Sequence, residues 1–277
     1  HPLPITPSLT MLAQPLPTPT THPMLAAITP VILTYNEAAN IGRTLQRLTW
    51  ANRIVVIDSF STDETLDILS HYPQVEVYQR QFDTHATQWN YGLSLVETPW
   101  VLSLDADYGL SDALVEEFTM LNPADAIAGY SIPFQYCVFG RPLRGTILPP
   151  RIALFRRDRA TYIDDGHTQL LRCQGPVASL RSPILHDDRK SLNRWLWAQD
   201  RYALLEVQKQ LESPSEKLGW SDRIRRVPGL SAPIILVYCL IFKGGVLDGW
   251  AGWHYAFQRI VAELILSIRL IEMRSPR

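Results

Sequence analysis

The chain has 277 residues, 46% of them hydrophobic, with 26 Lys and Arg against 27 Asp and Glu. A net charge of −1 argues against a general nucleic-acid binder, and the apolar and aromatic content excludes a disordered protein. The neutrality is a cancellation: residues 1–188 carry 12 Lys and Arg against 19 Asp and Glu, whereas residues 189–277 carry 14 against 8. An acidic part followed by a basic, apolar one points to one segment that handles metal or chemistry and another that meets an anionic surface.

Residues 1–27 contain no Lys, Arg, Asp or Glu and are crowded with Pro and Thr, so a flexible arm is expected. The arm lacks the positive stretch of a secretory leader, and because the sequence starts with His1 and not Met, the natural start is expected upstream. From residue 28 onward, compact apolar runs at 28–34, 53–58, 75–79 and 100–105 read as strands covered on both faces. Three helices lie between them: one after Asn36 running toward Trp50, one starting at the capping-box pattern Ser61-Thr62-Asp63-Glu64, and one over about 85–97. This alternation predicts an α/β fold with a parallel, doubly wound, Rossmann-like sheet, which binds ligands at the carboxyl ends of its strands. A short helix near Ser111 follows, then a turn-rich, strand-like stretch over 126–186, then helical patterns over 191–226 and 255–272. The apolar run 227–242 is interrupted by Pro228 and Pro233 and stops at Lys243-Gly244-Gly245, which suits interfacial contact with a membrane better than a span. Cys137, Cys173 and Cys239 form no C-x-x-C pair and read as buried thiols in a reducing compartment.

Two strand ends carry chemistry. Asp105-Ala106-Asp107 places two carboxylates at the end of the fourth strand, where they can converge on one divalent cation; oxygen ligands favour Mg²⁺ or Mn²⁺, which would neutralise a diphosphate. Thr34-Tyr35-Asn36-Glu37 and Asp58, at the first and second strand ends, suit the hydroxyls and N–H groups of a nucleotide. The sequence has neither the G-x-G-x-x-G of a dinucleotide site nor the G-x-x-x-x-G-K-[ST] of a P-loop.

These motifs, with Gln88-Trp89-Asn90, occur in the order and spacing of family 2 glycosyltransferases with the GT-A fold, and the chain resembles that family over about residues 28–110. Further along, Asp165-Gly166-His167, His186-Asp187-Asp188 with Lys190-Ser191, 195–202 and 243–249 are similar to bacterial enzymes of the lipopolysaccharide-core type. The resemblance implies an inverting transferase. Thr34, Tyr35, Glu37, Asp58, Asn90 and Asp105 would contact a nucleotide-diphosphate sugar, expected to be UDP-linked, and Asp107 would ligate the metal with His186 as an added ligand. Asp165, or equally its neighbour Asp164, would be the base that takes the acceptor's proton, and Arg201 would reach the diphosphate or lie on a helix surface. Tyr108 stands where many relatives have an acidic residue, and Glu64 where they have Gly, which opens metal and sugar selectivity.

The expected organisation is therefore an arm over 1–27, a catalytic unit over 28–188 with nucleotide-sugar and acceptor halves meeting at 110, and a basic, apolar helical tail over 189–277. The tail implies peripheral contact with the inner face of the cell membrane and a glycolipid or envelope-glycan acceptor, or else packing on the catalytic unit or a dimer partner. The alternatives are a polyprenyl-phosphate sugar synthase, whose anionic acceptor needs no base, and a catalytically silent nucleotide-sugar-binding membrane protein.

Overall fold

A computed structural model describes residues 22–145, 147–165, 168–212 and 220–275 of the chain. Four parallel strands form its spine: β1 (Ile28–Thr34), β2 (Ile54–Asp58), β3 (Val75–Gln79) and β4 (Trp100–Asp105). Helices α2 (Ile41–Gln46), α3 (Thr65–Ser70) and α4 (His85–Ser94) connect them, after a short α1 (Pro23–Ala26). The order β4-β1-β2-β3 means that the chain winds outward from β1 in one direction and then returns to its other side, so a topological switch point lies between β1 and β4. Every residue of β2 and the first five of β1 are buried, as a sheet covered on both faces requires.

The second half of the sheet is mixed. After the short β5 (Tyr108–Leu110) and α5 (Asp112–Thr119), β6 (Gly129–Ile132), β7 (Phe134–Val138), β8 (Arg141–Pro142) and β9 (Arg151–Arg156) follow. Strand β9 runs antiparallel to both β4 and β6. A hairpin of β10 (Ala160–Asp165) and β11 (Thr168–Cys173) leaves the sheet, β12 (Val177–Ser179) extends it beside β6, and β13 (Ile184–His186) lies between β5 and β7 in a separate ribbon.

Several local expectations are corrected. Met24 and Leu25 of α1 are buried in the core, so the stretch expected to be a free arm is anchored by residue 23; residues 1–21 lie outside the described residues. The pattern at Ser61–Glu64 forms no capping box, because α3 starts at Thr65 and the polar side chains have other partners. Ser61 bonds to Asp58, and the Asp63 carboxylate accepts from the Thr65 and Ala38 amides. A capping box forms instead at Thr84 and Thr87, at the start of α4. Close packing of α4 depends on Gly92, where a Cβ would lie 2.7 Å from Val31 Cγ1.

The last third is helical: α6 (Leu192–Glu212), α7 (Trp220–Arg225), α8 (Ser231–Val237), a π-turn over Tyr238–Phe242, and α9 (Trp250–Arg274). Helices α6 and α9 join through buried Ala203, Val207, Leu266 and Leu270, and through a two-pronged ion pair in which Arg269 donates to Asp200 at 2.7 Å from each nitrogen. Arg225 pairs with Glu263, whose burial would be costly without it. Gly252, in the first turn of α9, lies against the Gly245 carbonyl so closely that any side chain there would clash. No helix among the described residues is long and apolar enough to cross a membrane. Cys137 and Cys239 are buried free thiols, and Cys173 is a half-buried one.

Candidate active site

The carboxyl ends of β4, β1 and β2 lie side by side, with Leu33 paired to Asp105 and Thr34 to Asp58. The Thr34-to-Glu37 turn therefore lies between the Asp105–Asp107 triplet and Asp58. Asn36 takes up the left-handed conformation at φ 54°, which Asn tolerates, and its side chain accepts from the Thr62 amide at 2.8 Å. Thr44 of α2 donates to the Ala106 carbonyl at 2.7 Å, which pins the triplet's turn.

Across this turn, β13 brings in residues distant in sequence. His186 is the cross-strand partner of Tyr108 on one side and of Tyr136 on the other, so its ring lies between two phenols with centroids 5.2 and 4.7 Å away. Its Nε2 lies 3.0 Å from Asp107 Oδ2, while the buried Nδ1 has no hydrogen-bond partner. Ring packing thus sets the orientation of this imidazole. Tyr108 is 7% exposed and also packs on Phe134, so it serves as a wall for His186 and does not replace a third carboxylate.

The two carboxyls of the triplet diverge in character. Burial, with Asp107 beside it, pushes Asp105 up. Burial also works against the Asp107 charge, but His186 and Lys190 outweigh it and hold this carboxyl down at about 2. For His186, burial disfavours the cation, yet Asp107 prevails and the imidazole is raised above its ordinary value. Asp107 is therefore the carboxylate that stays ionised. Its oxygen and the His186 nitrogen are separated by about the 3 Å that adjacent ligands of a small octahedral cation take when bound at roughly 2.1 Å. Among the described residues no three His, Cys, Asp or Glu side chains form a complete cage.

Glu37 joins the same cleft through residues that sequence reasoning did not assign. Lys190 Nζ lies 2.9 Å from Glu37 Oε1 and 3.5 Å from Asp188 Oδ1, and Asn40 donates to both Glu37 and Asp188. One ammonium shared among several carboxylates cannot offset the burial of Glu37, whose carboxyl is pushed up to about 7. Lys190 itself is held charged: burial opposes the cation, but Glu37, Asp107 and Asp188 raise it. Tyr202 of α6, although 60% exposed, also lies near this cluster; desolvation on its cluster side and the Asp105 charge raise its phenol. The motif signals were the Asp187-Asp188-Arg189-Lys190 run immediately after a strand for Lys190 and the stretch 195–202 for Tyr202, whereas Asn40 gave none.

The remaining expected site residues fall in three places. Asp58 is fully buried and accepts hydrogen bonds from Thr34, Ser61 and Gln79, so it fixes the loop around the nucleotide side of the cleft and has no surface of its own to offer. Asn90 clamps strand β10, donating to the Tyr162 carbonyl at 2.8 Å and accepting from the Tyr162 amide at 2.9 Å. Asp164, on that strand, is exposed and accepts from Thr84 at 3.4 Å; the side chain of Asp165 and all of Gly166 and His167 lie outside the described residues. Tyr35 is 45% exposed beneath the guanidinium of Arg194, which also lies over Trp197 of α6, and Arg201 stacks over the same Trp197 ring at 4.9 Å.

The family model for glycosyl transferase family 2 matches residues 29–174. The lipopolysaccharide core biosynthesis glycosyltransferase LpsC of Rhizobium meliloti (strain 1021) is 24% identical over 243 residues, covering 82% of this chain and 87% of that protein. An uncharacterized glycosyltransferase of Rickettsia bellii (strain RML369-C) is 32% identical over 91 residues, which is 32% of this chain and 31% of its own length. Among solved structures, the mannosyltransferase PcManGT from Pyrobaculum calidifontis, in complex with GDP-Man and Mn²⁺, superposes with a TM-score of 0.51 at 14% identity, covering 90% of this chain and 88% of that one. That likeness concerns the fold, which is GT-A, with a central, mostly parallel sheet and C-terminal helices. With more than half its length matched by the family model, the chain is a member of glycosyltransferase family 2.

Proposed function

We propose that the protein moves one sugar, with inversion, from a nucleoside diphosphate donor to a hydroxyl of a glycolipid or other envelope glycan at the inner face of the cell membrane. The observation that carries this reading is the pairing of Asp107 Oδ2 with His186 Nε2 at 3.0 Å just past the end of β4, beside the switch point of the sheet. Asp107 and His186 would hold Mg²⁺ or Mn²⁺, which when bound neutralises the donor diphosphate. Thr34, Tyr35 and Glu37 line the nucleotide side, with Asp58 fixing their loop.

In the reaction the acceptor oxygen bonds to the anomeric carbon as the bond to the diphosphate oxygen breaks. The nucleoside diphosphate leaves with the electron pair, and Asp165 or Asp164 takes the acceptor's proton. Asn90 holds the strand that carries both carboxylates. We assign catalysis to residues 28–188 and membrane contact to residues 189–277.

Two features support the membrane and acceptor parts. One is the name borne by the Rhizobium meliloti relative. The other is the apolar face of the last helices, where Phe242 is 75% exposed, Leu247 67% and Ile241 65%, with Trp250 and Trp253 also open and Lys243 and Arg141 among them. Aromatics beside cations suit the headgroup level of an anionic bilayer.

The test is transfer against donor hydrolysis in Asp164→Asn, Asp165→Asn and the double variant. Loss of transfer with donor binding intact in one single variant is expected and identifies the base. Undiminished transfer by the double variant onto a lipid phosphate would point to a polyprenyl-phosphate sugar synthase instead.

A further inference from the structure

A second cleft opens off the catalytic cluster, between the β7–β8 hairpin, the start of α6 and α9. It encloses about 460 Å³, including space open to solvent, and shares Asp188 and Lys190 with the cluster around Glu37. Its walls are aromatic, with Tyr136, Phe139 and Trp195, and its polar groups include His254 and Gln258.

Three observations point to a ligand here. First, neither the imidazole of His254 nor the amide of Gln258 makes a hydrogen bond to another described residue, and His254 Nδ1 is buried without a partner. Unused donors and acceptors on the wall of a cleft are capacity for a polar ligand. Second, Phe139 occupies the hairpin tip at φ 49°, followed by Gly140 at φ 82°. A turn with two such residues favours Asn or Gly at its first position, so a bulky aromatic there is strained. Phe139 is 58% exposed and packs on His254 and Trp250, which places an apolar ring at the rim of the cleft. Third, Trp195 walls this cleft on the face of α6 that, two turns on, carries Tyr202 within electrostatic reach of Asp105, Lys190 and Asp107, so the cleft and the catalytic cluster share one side of that helix.

Flat aromatic rings beside an unpaired amide and imidazole, with the Asp188 carboxylate already held by Asn40 and Lys190, match a pyranose ring, which is apolar on its C–H faces and rimmed by hydroxyls. We propose that this cleft is the acceptor subsite and that it binds the terminal sugar ring of the acceptor, with Trp195 as platform and His254 and Gln258 as hydroxyl partners. The proposal rests on the glycosyltransferase reading of the adjoining cluster. The position also fits a glycolipid, since the rim at Phe139 and Trp250 merges with the exposed apolar face of α8 and α9.

The experiment titrates the full chain with a panel of methyl glycosides, read by tryptophan fluorescence and ligand-observed NMR. UDP binding in the presence of Mn²⁺ is measured in parallel by thermal shift. Wild type should bind at least one glycoside saturably. Trp195→Ala and, as a milder second variant, Gln258→Leu should each weaken that binding about tenfold or more while leaving the UDP shift unchanged. Retained glycoside affinity in both variants, equal loss of UDP binding, or no binding of any glycoside by wild type would overturn the subsite. Glycoside binding lost in the variants, with no shift of wild type by UDP, GDP or any other nucleoside diphosphate, would keep the subsite and overturn the nucleotide-sugar reading.

Discussion

His186 Nε2 lies 3.0 Å from Asp107 Oδ2, joining the end of β4 to a strand 79 residues further along the chain. The pair exists because His186 is registered against Tyr108, the residue that follows Asp107. If both side chains hold the cation, His186→Ala should move the Mn²⁺ activation curve to higher concentration by about tenfold, whereas Tyr108→Phe, which keeps the aromatic wall, should leave it in place. Metal titration of donor turnover in the two variants checks this; equal midpoints in wild type and His186→Ala would exclude the histidine.

Asn90→Ala removes both hydrogen bonds that tie α4 to the backbone of Tyr162. A loss of about 1–3 kcal/mol in urea unfolding is expected. Because β10 also carries the proposed base, kcat for transfer should fall further than the KM for donor rises. A raised donor KM with unchanged stability would place Asn90 on the nucleotide.

Glu37 sets a pH dependence. Its carboxyl is held at about 7 in the folded chain against an ordinary value of 4.5, so between these values the folded state keeps a proton that the unfolded state has lost. Stability from this group is fully present below about pH 4.5 and is lost as pH rises toward 7. Relative to Glu37→Gln, wild type should lose on the order of 2–3 kcal/mol across that window and run parallel above it. Urea unfolding at several pH values reads the difference, and parallel curves throughout would show that Lys190 keeps the carboxylate charged.

Phe242→Asp with Leu247→Asp, both on exposed positions of the last helices, should abolish sedimentation with anionic vesicles and leave the melting temperature within a few degrees. Unchanged vesicle binding would assign this face to another partner.

Strands β1, β2 and β4 were legible as short apolar runs with a polar residue at the carboxyl end, and the Asp105-Ala106-Asp107 triplet follows from one of them; β3, expected to be covered on both faces, is instead the sheet's edge strand, with Glu76 and Val77 exposed. The capping box at Ser61 was misread because the same polar residues had stronger tertiary uses, Ser61 on Asp58 and Asp63 on Ala38. Lys190 and Tyr202 lay in family-like motifs but had no role assigned, and Asn40 had no signal at all, since their placement depends on the long-range pairing of β13 with β5 and on the path of α6 across the cleft. Asn90 and Asp58 were recognised as motif residues, but the structure places them as supports for the strand and the loop on which other residues act.

The most direct test of the account is thermal shift of wild type and Asp107→Ala across a panel of nucleotide sugars, each with and without Mn²⁺. The account predicts that wild type is stabilised by one nucleotide class, by several degrees and only with the metal, while Asp107→Ala, measured against its own lowered melting temperature, gains nothing from donor plus metal. Equal metal-dependent stabilisation of the variant, or stabilisation of wild type that ignores the metal, would contradict it.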